Sequence, residues 1–141
     1  MKYVLDASVA LKWVLPEAGA DKARQLRDEF HRQLHELLAP DIFAAEIAHA
    51  LTRAERKRII PLGYAKGFLA DIMQTPPAFH PYLPLLARAT DISSQMRRGI
   101  YDCLYVALAD QEGCQMVTAD SRLISVLEKE YPSIIDLSSL P

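Results

Sequence analysis

The sequence predicts an α/β domain built on a mainly parallel central sheet of four or five strands, and three observations carry that prediction. Short apolar runs rich in β-favouring residues alternate with stretches of helical period, as strands joined by crossover helices do. Two of the runs end in the same chemistry, Val4-Leu5-Asp6-Ala7-Ser8 and Val117-Thr118-Ala119-Asp120-Ser121. No repeat, low-complexity tract or linker divides the 141 residues, half of which are apolar, so residues 1–141 are expected to form one domain around one core.

The elements follow in order. Lys2-Tyr3-Val4-Leu5 reads as a buried strand ending at Asp6, and Ala7 to Leu15 as a helix stopped by Pro16. From Ala18 to about Glu36, apolar marks at Ala23, Leu26, Phe30, Leu34 and Leu37 recur every three or four residues, which predicts an amphipathic helix. Leu37-Leu38-Ala39 reads as a short second strand. Asp41 is placed to cap a helix running through Ile42, Ile47, Leu51 and Ala54 to the basic end Arg56-Lys57-Arg58, where positive charge suits the helix dipole. Leu62 to about Thr75 predicts another helix, Ala78-Phe79-His80 a weak strand, and Leu83 to Arg98 a helix ended by Gly99. Tyr101 to Gln111 restarts as a helix. Cys114 to Thr118 is a strand ending at Asp120, Ser121 to about Lys129 a short helix, and Ser133-Ile134-Ile135 a last strand.

Composition excludes several classes. Sixteen Lys and Arg against eighteen Asp and Glu leave a net charge of −2, which rules out coating nucleic acid by bulk charge but leaves room for a local basic patch. No apolar run approaches the roughly 20 residues of a membrane span, and Asp6 interrupts the apolar start too early for a secretory leader. Two cysteines, Cys103 and Cys114, are too few for a disulfide scaffold. A soluble, reduced, cytoplasmic protein is expected. The five scattered glycines form no phosphate loop, and no serine nucleophile elbow occurs.

The acids are more informative. Taken singly, Asp6 or Ser8, and Asp120 or Ser121, could each be a helix cap, and Asp102 could simply favour a helix start. Glu46 borders the apolar face of its helix, with Ile42, Phe43 and Ala50 as helical neighbours, and a carboxylate there is costly unless paired or bound to a cation. Asp102 is the one charge in the apolar stretch from Ile100 to Ala107. Together the four could converge at one edge of the sheet, where crowded carboxylates call for a neutralising cation. Oxygen-only ligands suit Mg²⁺ or Mn²⁺, ions that support phosphodiester hydrolysis. The residues thus point to a metal-dependent phosphoryl-transfer site.

The order of these motifs resembles the PIN-domain family, specifically VapC-type toxins of bacterial toxin–antitoxin pairs. Val4 to Trp13 is similar to the family's opening, Glu46 within Ala44-Ala45-Glu46-Ile47 to its second acid, Tyr101 to Ala109 to its third motif and Val117 to Leu123 to its fourth. The resemblance spans essentially the whole chain and implies a PIN-like three-layer α/β/α domain. It also implies an endoribonuclease that cuts RNA with water activated by Mg²⁺ or Mn²⁺. Asp6, Glu46, Asp102 and Asp120 would be the catalytic, metal-holding tetrad, with the Ser8 and Thr118 hydroxyls bonding to carboxylates or metal-bound water. Implied partners are a second copy in a homodimer and a cognate VapB-like antitoxin, whose segment would fill a groove over the site. Trp13, Val14 and Leu15 could supply apolar surface for it, or be ordinary core.

Other features carry two readings each. Arg53, Arg56, Lys57 and Arg58, with Arg97 and Arg98, could line an RNA path or be solvated helix ends. His31 and His35 have a spacing that can bind zinc, but their polar neighbours suggest a solvated face. His49 could touch the site or be structural. A catalytically silent PIN-like module that binds RNA or protein is the alternative to a nuclease. A phosphatase with Asp6 as nucleophile lacks a second aspartate two residues on, where Ser8 stands. The chain is also too short to carry an arch for threading DNA.

Overall fold

A computed structural model describes residues 1–141. Its centre is a five-stranded, all-parallel sheet in the order β3-β2-β1-β4-β5, made of β1 (Lys2–Leu5), β2 (Glu36–Pro40), β3 (Ala78–His80), β4 (Gln115–Thr118) and β5 (Ile134–Asp136). The middle strand β1 pairs on both sides, Val4 lying opposite Leu38 and Met116. Covered on both faces, it is apolar throughout Tyr3, Val4 and Leu5, all buried. The edge strands β3 and β5 are three residues each.

Helices α1 (Ala7–Leu11), α2 (Ala20–His31), α3 (Phe43–Arg56) and α4 (Ala65–Ile72) belong to the crossovers from β1 to β2 and from β2 to β3. Helices α5 (Leu86–Met96), α6 (Ile100–Glu112) and α7 (Ser121–Leu127) belong to the crossovers back to β4 and on to β5. Right-handed connections put the first group on one face and the second on the other, because the strand order advances in opposite directions in the two halves. The contacts agree: α1 and α4 pack on α3, whereas α5 packs on α6, which lies over β1, β2 and β4. Cys103 to Ala109 of α6 are buried without interruption, so this helix has no solvated stripe in its middle. Gly113 ends it with φ 59, a left-handed conformation that favours glycine. One apolar cluster of 36 buried residues unites both faces.

Several elements are shorter than the sequence predicts. The first helix stops at Leu11 and continues as turns to Leu15, so Pro16 does not end it. The second stops at His31, leaving an exposed Leu34 in the loop and giving Leu37 to β2. Asp41 does not cap α3; its carboxylate accepts the Tyr82 N–H at 3.0 Å and ties the end of β2 to the loop after β3. A 3₁₀ turn over Leu83–Leu85 precedes α5. Trp13 is core, 5% exposed, with its indole N–H donating to the Ala23 carbonyl at 2.9 Å, and Leu15 is buried as well. The apolar surface considered for Trp13 and Leu15 is therefore absent. Both cysteines are free.

Candidate active site

Between β1 and β4 the strand order changes direction, and in open parallel sheets such a point leaves a crevice at the carboxyl ends of the strands. Asp6 follows β1 at this point. Its N–H donates to the Val117 carbonyl at 3.1 Å, which fixes it against β4. The side chain is buried, and its Oδ2 accepts both the Ser8 hydroxyl at 2.5 Å and the Thr118 hydroxyl at 2.8 Å. The two hydroxyl oxygens in turn accept the N–H of Ala119 at 3.0 Å and of Asp120 at 3.1 Å. With both hydroxyl protons on Asp6, the 3.3 Å approach of Ser8 to Thr118 is a contact without a shared hydrogen. Asp6 Oδ1 accepts nothing from the protein. Burial is the main cause that raises the Asp6 carboxyl above its ordinary pKa; the two hydroxyls oppose the rise, and the charges of Asp102 and Asp120 add to it.

Glu46 comes from the first turn of α3. Phe43, Ile47, Leu51 and Ala54 bury one stripe of that helix and leave Glu46 half-buried at its border. Its Oε1 is buried without a hydrogen-bond partner, and so is the hydroxyl of Tyr105 on α6. The two groups are close enough to feel each other, but not aligned as donor and acceptor. Burial pushes the Glu46 carboxyl up to about 7; the Tyr105 hydroxyl offsets part of this, and Asp6 and Asp102 reinforce it. Burial followed by the Glu46 charge drives the Tyr105 phenol upward, so it stays protonated.

Asp102 lies in the first turn of α6 and Asp120 just after β4. Asp120 uses its two oxygens differently. Oδ1 caps α7 by accepting the N–H groups of Arg122 at 3.0 Å and Leu123 at 3.2 Å, and Oδ2 accepts Arg98 Nη2 at 2.9 Å. Arg98 Nε also donates to Asp102 Oδ2 at 2.9 Å. One guanidinium therefore spans two of the four acids.

The donor set suits a hard divalent cation in kind: all ligands would be oxygen, and Asp6 Oδ1 and Glu46 Oε1 are without protein partners. As placed, no three acidic, histidine or cysteine side chains close on a point that could hold an ion, since Asp102 and Asp120 are turned to Arg98.

The four acids thus interact at one end of the sheet, with Ser8 and Thr118 bonded to one of them, Asp6. Of the six basic residues singled out in the sequence, Arg98 alone pairs with these acids. Arg53 and Arg56 close α3, roughly 10–15 Å along that helix from Glu46, and Lys57 and Arg58 follow it; all four are exposed. Arg97 is exposed. His31 bonds to Thr75 at 2.9 Å and His35, beyond the helix, to Glu29 at 2.6 Å, so the histidines do not converge as a zinc pair. His49 is exposed. Sequence reasoning missed Tyr105, whose position three residues after Asp102 was its only signal, and read Arg98 as an RNA contact or a solvated helix end, not as a partner of the acids.

The Glu46 shift has a measurable consequence for stability. The native carboxyl holds its proton up to about 7, whereas an unfolded one releases it near 4.5. The contribution to stability is therefore full below the lower value and is lost as pH rises through the window to the upper one. Because the half-buried group is partly screened by water, the loss is on the order of 1–2 kcal/mol, less than the full shift would give. Cation-free protein is expected to melt lower at about pH 8 than at about pH 5, and Glu46→Gln to show a shallower decline. Parallel profiles for the two proteins would remove Glu46 as the cause.

The model of the PIN domain family matches residues 3–129. The chain belongs to the PIN-domain family. Within it, Ribonuclease VapC9 of Mycobacterium tuberculosis is 36% identical over 132 residues, covering 92% of this chain and 94% of the relative. Ribonuclease VapC3 of Pyrobaculum aerophilum is 27% identical over 137 residues, covering 96% and 98%. These relatives place the chain with the VapC type of PIN domain. Among solved structures, PAE2754 from Pyrobaculum aerophilum superposes with a TM-score of 0.71 at 20% identity, covering 99% of this PIN domain's chain and 94% of its own. VapBC2 from Rickettsia felis, bound to a DNA fragment from their promoter, gives a TM-score of 0.65 at 15% identity, covering 96% and 97%. Both likenesses establish the fold. No helix of this PIN domain is long and apolar enough to cross a membrane.

Proposed function

We propose that this PIN domain is the ribonuclease toxin of a toxin–antitoxin pair, a divalent-cation-dependent endoribonuclease that hydrolyses RNA phosphodiester bonds. The observation that carries the reading is the meeting of Asp6, Glu46, Asp102 and Asp120, from four separate segments, at the switch point of the sheet. The ribonuclease names of relatives that match nearly end to end support it.

Asp6, Glu46, Asp102 and Asp120 would hold Mg²⁺ or Mn²⁺. Such an ion lowers the pKa of a water and offsets negative charge at the phosphate. Ser8 and Thr118 keep Asp6 Oδ2 occupied, so that Oδ1 is the oxygen presented to the crevice. Glu46 Oε1, lacking a donor, can take up or release a proton near neutral pH. Arg53, Arg56, Lys57, Arg58 and Arg97 are exposed and would meet backbone phosphates further along the RNA.

A VapB-like antitoxin is the partner proposed to cover the crevice, with exposed Tyr101 beside Asp102 as an apolar contact. The working form proposed is a cytoplasmic homodimer. The Arg98 bridge favours the second reading, a silent module, because it occupies two of the acids.

Purified, antitoxin-free protein is expected to cleave cellular RNA with Mg²⁺ or Mn²⁺, and EDTA to slow the cutting by about 100-fold or more. Excess Mn²⁺ should restore it. Cleavage that EDTA leaves unchanged excludes a cation in the chemistry; RNA bound but never cut gives the site to the silent module.

A further inference from the structure

We propose that Arg98 is a built-in counter-cation, holding Asp102 and Asp120 in the cation-free protein and leaving them when a divalent ion binds. The proposal rests on the cation reading above. Its basis is the occupancy of the Asp120 carboxylate. Oδ1 holds two N–H groups of α7, and Oδ2 holds Arg98, so the lone pair that Asp120 has left for an ion is on Oδ2, beside the guanidinium. Giving up Oδ1 would uncap α7, whereas giving up Oδ2 moves only a side chain. An ion ligated by the same Oδ2 would stand within a few ångströms of the guanidinium, where two positive charges repel.

The backbone around Arg98 is fixed, so the exchange is confined to the side chain. Arg97 ends α5 in a left-handed conformation with φ 53, and the Arg98 carbonyl accepts the Ser93 hydroxyl at 2.5 Å and the Cys103 thiol at 3.8 Å. Gly99 then stands at the N-cap of α6. From this pinned junction the guanidinium bridges Asp102 on α6 and Asp120 after β4, 22 residues further on, with its side chain 21% exposed. That exposure gives it a path to water. In the cation-free state the bridge relieves repulsion among four neighbouring carboxylates. An arriving ion takes over the same task, so the two cations compete.

Calorimetric titration of full-length wild type, Arg98→Gln and Arg98→Lys with Mn²⁺ tests this, with Asp6→Asn as a control for binding at the acids. Arg98→Gln is expected to bind Mn²⁺ more tightly, by roughly 5–150-fold, the usual range of coupling between two ligands. Arg98→Lys, with a charge but no planar fork, should fall between. Cation-free Arg98→Gln should melt below wild type and gain more from Mn²⁺. A titration needing no variant is the Arg98 Nε–Hε NMR signal of wild type, which should shift and exchange faster with water as Mg²⁺ is added. Unchanged or weaker Mn²⁺ binding by Arg98→Gln, or a wild-type signal that stays put while Mg²⁺ binds, overturns the proposal alone. Wild type that binds Mn²⁺ no better than Asp6→Asn overturns it together with the cation reading.

Discussion

An Asp6→Asn chain is expected to cleave RNA at least ~10³-fold more slowly than wild type, while melting at the same temperature or slightly higher. The two halves of that result come from the same burial. Asp6 is 6% exposed, and its ionised form is disfavoured by burial and by the charges of Asp102 and Asp120. Removing the charge therefore removes a destabilising term from the fold. The asparagine carbonyl oxygen has two lone pairs and can accept both the Ser8 and Thr118 hydroxyls that Oδ2 now accepts. The anionic oxygen offered to the crevice is lost. A cleavage assay and a melt on the same preparation read both halves. Cleavage within tenfold of wild type would take Asp6 out of the chemistry, and a melt several degrees lower would assign it to the fold.

The second large effect is structural. Phe43→Ala is expected to destabilise the protein by about 3–5 kcal/mol and to lower its melting temperature by roughly 10–20 °C. Phe43 is wholly buried at the start of α3 and packs on Phe79 of β3, with ring centroids 6.0 Å apart. Ile42 supplies no side-chain cap at that helix start, so packing anchors it. Glu46 sits one turn further on, and the edge strand leans on the same ring. Denaturant unfolding would measure the loss. A value under about 1 kcal/mol would mean that the helix start is held by something else.

The centre of this structure was more legible than its rim. β1 and β4 are apolar runs covered on both faces, so length and β-favouring residues were enough to find them and the aspartates that follow. Glu46 could be singled out because a helix fixes which neighbours a residue has. β3 was a weak reading for a physical reason: it is three residues long at the sheet edge, with Ala78 and Phe79 exposed, and carries no alternating or buried pattern. Asp41 has the composition of a cap but bonds across to Tyr82, a tertiary contact that local sequence does not encode. His31 and His35 sit four apart, yet the helix ends at His31, so the spacing lost its meaning.

The site itself was legible as a set of acids but not as an electrostatic balance. Arg98 stands four before Asp102, but α6 starts between them, after Gly99, and Asp120 lies 22 residues beyond Arg98. Helical periodicity could not predict a bridge that depends on the α5–α6 junction facing the end of β4. Tyr105 lay unmarked in the apolar stretch from Ile100 to Ala107, because only the packing of α3 against the crevice brings Glu46 near its hydroxyl.

The divided use of Asp120 makes the four acids unequal as places where activity can be lost in evolution. At Glu46, whose charge burial opposes, a neutral replacement would, on the proposed role, silence the site and leave a chain expected to fold at least as well. At Asp120 most replacements also unfasten the first turn of α7, so inactive descendants carrying them would be weaker proteins, more readily degraded. Inactive lineages that persist as folded binding proteins should therefore have changed Glu46 or Asp6 first, and Asp120 last.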